Sequence, residues 1–77
     1  MNEKLTSIYN EFHRYIYHLC LKLTRNTSEA EDLVQEVWVK VVRYEDNLTE
    51  VDHVKAWLTT ITMNTFRLLY QKIAVRV

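Results

Sequence analysis

The chain has 77 residues, 48% of them hydrophobic and 26% charged, with ten basic and ten acidic side chains and zero formal net charge. That balance describes one small globular domain, 1–77, with a thin margin of stability, and not a disordered chain. No apolar stretch approaches the roughly 18 residues of a membrane span, and Met1-Asn2-Glu3-Lys4 lacks the apolar core of a secretion signal. A single cysteine, Cys20, has no partner for an internal disulfide, which makes a reducing cytoplasmic setting the expected one. Glycine and proline are both absent. Hairpin turns draw on residues that tolerate positive φ, so the sequence reads as all-α.

Leu5, Ile8, Phe12, Ile16, Leu19 and Leu23 recur at steps of three or four, which predicts an amphipathic helix over about 4–24. Arg25-Asn26-Thr27 interrupts the stripe with residues suited to caps and turns. Ser28 and Glu31 then match a reciprocal capping box opening a second helix over about 29–43. Its inner face is Ala30, Leu33, Val34, Val37 and Val41. Asp32, Gln35, Glu36 and Lys40 take the opposite side, with Glu36 and Lys40 spaced as a favourable ion pair. Periodicity lapses over about 44–52, where four of the eight residues from Glu45 to Asp52 are acidic, so this segment is expected to be a loop. Loops of that length are often functional. Asp52 is a candidate N-cap for a third helix over about 53–74, with Val54, Trp57, Leu58, Ile61, Thr65 and Leu68 as its apolar stripe.

His13, His18 and Cys20 lie close in sequence, but on a helix the two histidines point about 140° apart, which argues against a metal site. Cys20 sits between two leucines on a helix that must bury one side, so it is expected to be packed, not nucleophilic. Without glycine there is no phosphate-cradling loop, and exposed carboxylates alone make no general acid or base. No enzyme, metal or cofactor is expected.

Recognition is left. Residues 1–28 hold four basic and two acidic side chains, 29–52 two basic and eight acidic, and 53–77 four basic and none acidic. The middle is thus suited to a basic partner and the C-terminal part to an anionic one, although solvated helix faces give the same tally. Lys55, Arg67, Lys72 and Arg76 interleave with Trp57, Phe66 and Tyr70, a pattern suited to single-stranded nucleic acid. The alternative is that the aromatics are core and the cations only solubilise.

Two motifs bear on that choice: Ala30-Glu31-Asp32-Leu33-Val34-Gln35-Glu36-Val37-Trp38, and after the acidic segment Ala56-Trp57-Leu58-Thr59-Thr60-Ile61-Thr62-Met63-Asn64. Together they resemble conserved region 2 of bacterial sigma-70 family RNA polymerase sigma factors, in particular the extracytoplasmic-function group, over about Tyr9 to Lys72. The resemblance implies a compact three-helix domain that docks on the β′ clamp coiled coil of core RNA polymerase and opens the promoter minus-ten element. It carries a polymerase-binding role onto Asp32, Gln35, Glu36, Val39 and Lys40. It carries contact with the non-template strand onto Tyr44, Asn47, Lys55, Thr60, Met63, Asn64, Arg67 and Gln71. The segment from Tyr44 to Asp52 corresponds to the one that captures a flipped base, whose extrusion costs about a few kcal/mol.

The resemblance also implies an anti-sigma partner. Nothing in these residues resembles the helix-turn-helix that reads the minus-thirty-five element. The expectation is therefore either an excised domain of a longer factor or a short region 2 protein working with a separate region 4 chain. Leu68 stands where the family commonly has Asp or Asn, and Ile73, Ala74, Val75 and Val77 replace an arginine-rich stretch. These departures suit an alternative, a polymerase-binding regulator that acts mainly through protein contacts.

Overall fold

A computed structural model describes residues 2–71, and among these every element is helical: α1 (Glu3–Thr24), α2 (Thr27–Arg43), a 3-10 helix (Glu45–Glu50), α3 (Val54–Phe66) and a π-helical turn (Arg67–Gln71). The all-α, three-helix expectation holds. α1 starts at Asn2, whose Oδ1 accepts from Lys4 N at 2.7 Å and Leu5 N at 3.3 Å. It stops at Arg25, which adopts a left-handed conformation (φ 57°, ψ 28°) while its N–H closes on Leu21 O at 2.8 Å. That position ordinarily falls to glycine or asparagine. This chain has no glycine, and the neighbouring Asn26 is engaged as the N-cap of α2, where Oδ1 accepts from Glu29 N at 2.9 Å. Arg25 therefore carries a conformational cost of about 1–2 kcal/mol.

Several boundaries differ from the sequence reading. α2 begins two residues before position 29, and its cap is Asn26, not Ser28: the Asn side chain is competent in the same way and sits one turn ahead of Glu29. The predicted loop is mostly a 3-10 helix. Leu48, fully buried, pins it from its centre, and Asn47 N to Tyr44 O (2.9 Å) and Val51 N to Leu48 O (3.2 Å) close its turns. α3 has His53, not Asp52, at its N-cap, with no side-chain bond to the first turn. Its α-helical part ends at Phe66, and the wider π turn shifts the face that follows, so Leu68 is 57% exposed where the stripe placed it inside. The predicted continuation to 74 lies outside the described residues beyond Gln71.

Leu5, Ile8, Ile16 and Cys20 of α1, Ala30, Leu33, Val37 and Val41 of α2, Leu48 and Leu58 form the buried core. Phe12 and Leu23 pack around it half-buried; Leu19 is also half-buried, and Cys20 takes the inward position beside it. Two threonines complete the seam on α3: Thr62 and Thr65 are buried, their hydroxyls donating back to Leu58 O (2.8 Å) and Ile61 O (2.7 Å). Satisfying the hydroxyl within the helix lets a polar side chain occupy an apolar seam. Burial pushes the Cys20 thiol from 9.0 up to about 11.

Two tests follow from the caps and the core. Asn26→Ala should lower unfolding free energy by about 1 kcal/mol in urea titration, whereas Ser28→Ala should stay within about 0.5 kcal/mol. For Cys20 the unfolded chain releases its proton first. Its contribution to stability is thus full below pH 9.0 and is lost as pH rises through about 11. Stability should fall in that window by up to about 1.4 kcal/mol per pH unit more than in Cys20→Ala, measured by urea titrations across the range.

Candidate polymerase and nucleic-acid interface

Burying Ala30, Leu33, Val37 and Val41 turns the other side of α2 outward, and Asp32, Gln35, Glu36 and Val39 are all exposed there at helical spacing. Lys40 departs from the expected arrangement. It is half-buried and reaches toward α3, its ammonium donating to Thr65 Oγ1 at 2.9 Å in place of the expected pairing with Glu36. A cation placed in sequence on the outer face thus joins the α2–α3 seam, because its long stem can run along apolar surface to a buried acceptor. The acidic outer face is left with less compensating positive charge.

Beside that face lies an apolar groove between α1 and α2 that sequence reasoning did not identify. Tyr9, Val39 and Val42 are exposed at 46%, 45% and 49%, the half-buried Trp38 and Val34 line it between them, and Gln35 and Arg43 complete the lining. The groove continues past Trp38 to Leu5. Tyr9 meets Trp38 edge-on (centroids 5.0 Å, 61°) and stacks on His13 (5.1 Å, 12°), whose Nδ1 lies 3.0 Å from Tyr9 O. Trp38 Nε1 is buried without a partner. The signal was available: Val34, Trp38 and Val42 form a second row at steps of four beside the core row.

The residues assigned to nucleic acid lie at the C-terminal cap of α2, on the 3-10 helix, along α3 and in the π turn. Tyr44 is 50% exposed and meets the half-buried Trp57 edge-on at 5.5 Å and 70°. Asn47 is exposed on the 3-10 helix. Lys55, Thr60, Asn64 and Arg67 are exposed along α3 and the start of the π turn, and Met63 is half-buried among them. Asn64 Oδ1 accepts from Arg67 Nη1 at 3.5 Å, a long contact that leaves both groups available. Lys55 Nζ sits over the Tyr15 ring, 4.8 Å from its centroid. Gln71 ends the π turn. At that end Tyr70 packs on Phe66 (5.2 Å) and its hydroxyl donates to Glu29 O at 3.4 Å, while burial, then the Glu29 and Asp32 carboxylates, hold its ionisation above the usual tyrosine range.

Two surfaces thus sit on one core: an acidic and apolar one on α2 and α1, and an amide, hydroxyl and cationic one on α3. The sigma-70 region 2 family model matches residues 8–74, nearly the whole chain, and the chain belongs to this family. Its role is that of a sigma factor domain in transcription initiation, a non-enzymatic one, which implies core RNA polymerase and promoter DNA as partners. No solved structure matches the chain. Among the described residues no helix is long and apolar enough to cross a membrane, and no group of three or more metal-ligating side chains converges.

The Lys40 contact gives a direct test. Lys40→Met and Thr65→Val should each cost about 1 kcal/mol in urea titration, and the double variant should cost less than the two together, since neither polar group is then left alone.

Proposed function

We propose that this domain docks on the β′ clamp coiled coil of core RNA polymerase through the outer face of α2 and holds the non-template strand of the minus-ten element on α3 and the 3-10 helix. The observation that carries this reading is the difference in chemistry between the two surfaces, carboxylates and apolar side chains on α2 against amide, hydroxyl and cationic groups on α3. Asp32, Gln35 and Glu36 offer carboxylates and an amide to a basic coiled coil, and the adjoining groove at Tyr9, Trp38, Val39 and Val42 adds apolar area that such a contact would bury. Asn64, Thr60 and Arg67 offer base-edge and phosphate contacts on a helix with no acidic residue.

Tyr44 against Trp57 forms an aromatic platform beside the 3-10 helix, where an unstacked base could rest. The carboxylates of Glu45, Asp46 and Glu50 repel phosphates, which suits that segment to base edges, with the strand's backbone kept on the cationic side of α3. Melting follows if the energy of holding a flipped base offsets its unstacking. The extracytoplasmic-function group and a cytoplasmic location fit this reading, as does an anti-sigma protein that covers the α2 face until released. A region 4 activity would come from elsewhere, in the same longer chain or in a separate one.

A second reading rests on Leu68 and Leu69, exposed at 57% and 40% where a strand-binding helix would offer polar groups. It makes the chain a polymerase-binding regulator acting mainly through protein contacts.

The test is binding to core RNA polymerase. A Gln35→Ala, Glu36→Arg double variant of equal helicity by circular dichroism should bind at least about tenfold more weakly than the parent, a loss of about 1.4 kcal/mol. Equal binding would sink the assignment of this face. Salt-dependent binding of the parent to single-stranded DNA supports the first reading, and its absence supports the regulator.

A further inference from the structure

Lys55 is held at both ends by a residue outside both motifs. Tyr15 lies on α1, half-buried, 40 residues before Lys55 in the chain. Its ring carries the Lys55 ammonium at 4.8 Å from the centroid, and its hydroxyl lies 2.7 Å from Thr59 Oγ1. Thr59 Oγ1 already donates its proton to Lys55 O at 2.8 Å, so Tyr15 is the donor and the chain runs Tyr15 O–H to Thr59 O–H to Lys55 carbonyl. The ring is thereby fixed against α3, one turn from the backbone of the very residue whose ammonium it supports. An exposed lysine otherwise samples many rotamers, and binding a phosphate requires ordering it. A face already under the ammonium removes part of that requirement, because the ring quadrupole attracts the cation without neutralising it. Lys55 and Tyr15 both line an open groove together with His53, Val54, Ala56, Thr59 and Thr60.

We propose that Tyr15 is a positioning residue for strand binding, presenting the Lys55 ammonium to a backbone phosphate of single-stranded DNA. This rests on the reading of α3 as the strand-binding helix and adds to it a residue of α1.

The experiment uses the full chain and a labelled short oligothymidylate, since a phosphate contact is independent of base sequence. Lys55→Ala first assigns the phosphate: the slope of log affinity against log salt should fall by about 0.7. Tyr15→Met, which keeps a helix-compatible side chain without a ring, should weaken binding about two- to fivefold in the parent and leave it unchanged in the Lys55→Ala background. Tyr15→Phe, which keeps the ring, should restore most of the affinity. A loss of equal size in both backgrounds overturns the proposal, because a merely structural role acts whether or not Lys55 is present. If Lys55→Ala lowers the slope and Tyr15→Met has no effect, the positioning role alone fails. If Lys55→Ala leaves the slope unchanged, the phosphate assignment fails and takes the proposal with it. A measurement on the DNA-free parent is independent of any variant's folding: the Lys55 ε-methylene protons should be shifted upfield by the Tyr15 ring, and their appearance at ordinary lysine positions overturns the proposal.

Discussion

The domain depends on α2 burying one face deeply enough to hold α1 and α3 together. Ala30, Leu33, Val37 and Val41 are wholly inaccessible, and they lie at steps of three and four along the helix. A helix buried on one side must turn its remaining residues to solvent or to a partner. The outward face of α2 is thus a geometric result of the core, and Asp32 and Glu36 make it acidic. In a chain of this size, with neither disulfide nor glycine turns, that single seam supplies much of the available apolar burial. Changes to the seam therefore disturb both outward surfaces, whereas changes at exposed positions such as Glu36 or Asn64 leave the seam intact.

Hydroxyl groups shape how α3 joins the rest. Thr59, Thr62 and Thr65 each return a proton to the carbonyl one turn earlier. Having done so, two of them accept from a neighbouring helix: Thr59 from Tyr15 on α1 and Thr65 from Lys40 on α2. Leucines at the same positions would pack, but they would not fix the angle at which α3 presents its outer residues. A hydrogen bond is directional and a methyl contact is not. The arrangement also explains why a lysine and a tyrosine, both amphipathic, are found at the inter-helix seams.

The helices were legible in the sequence because amphipathic spacing is a physical requirement of a small core, and the apolar steps of α1 and α2 predicted most of the residues now buried. The misplacements have local causes. Asn26 and Ser28 are both competent caps two residues apart, and spacing alone does not rank them. The 3-10 helix carries one inward residue, Leu48, too few to leave a periodic trace. Leu68 was predicted inward because a 3.6-residue period was carried through a segment that turns more widely. On the site, the outward positions of Asp32, Gln35 and Glu36 followed from the pattern of α2. Lys40 did not, because a long flexible side chain can reach an acceptor on another helix that no one-dimensional spacing reveals. The groove at Tyr9 and Trp38 escaped for a related reason: it is made by two helices, and Tyr9, Trp38, Val39 and Val42 lie outside the stripe of either one.

The two tryptophans are distributed in a way that bears on how the molecule can be watched. Trp38 lines the α1–α2 groove beside Tyr9, and Trp57 lies behind Tyr44 at the start of α3. Each indole is half-buried and each is next to a different outward surface. The chain thus carries one tryptophan per surface, and with either indole replaced by phenylalanine the tryptophan emission comes from the other alone. The order in which the two surfaces become occupied is then accessible by mixing experiments on unlabelled protein.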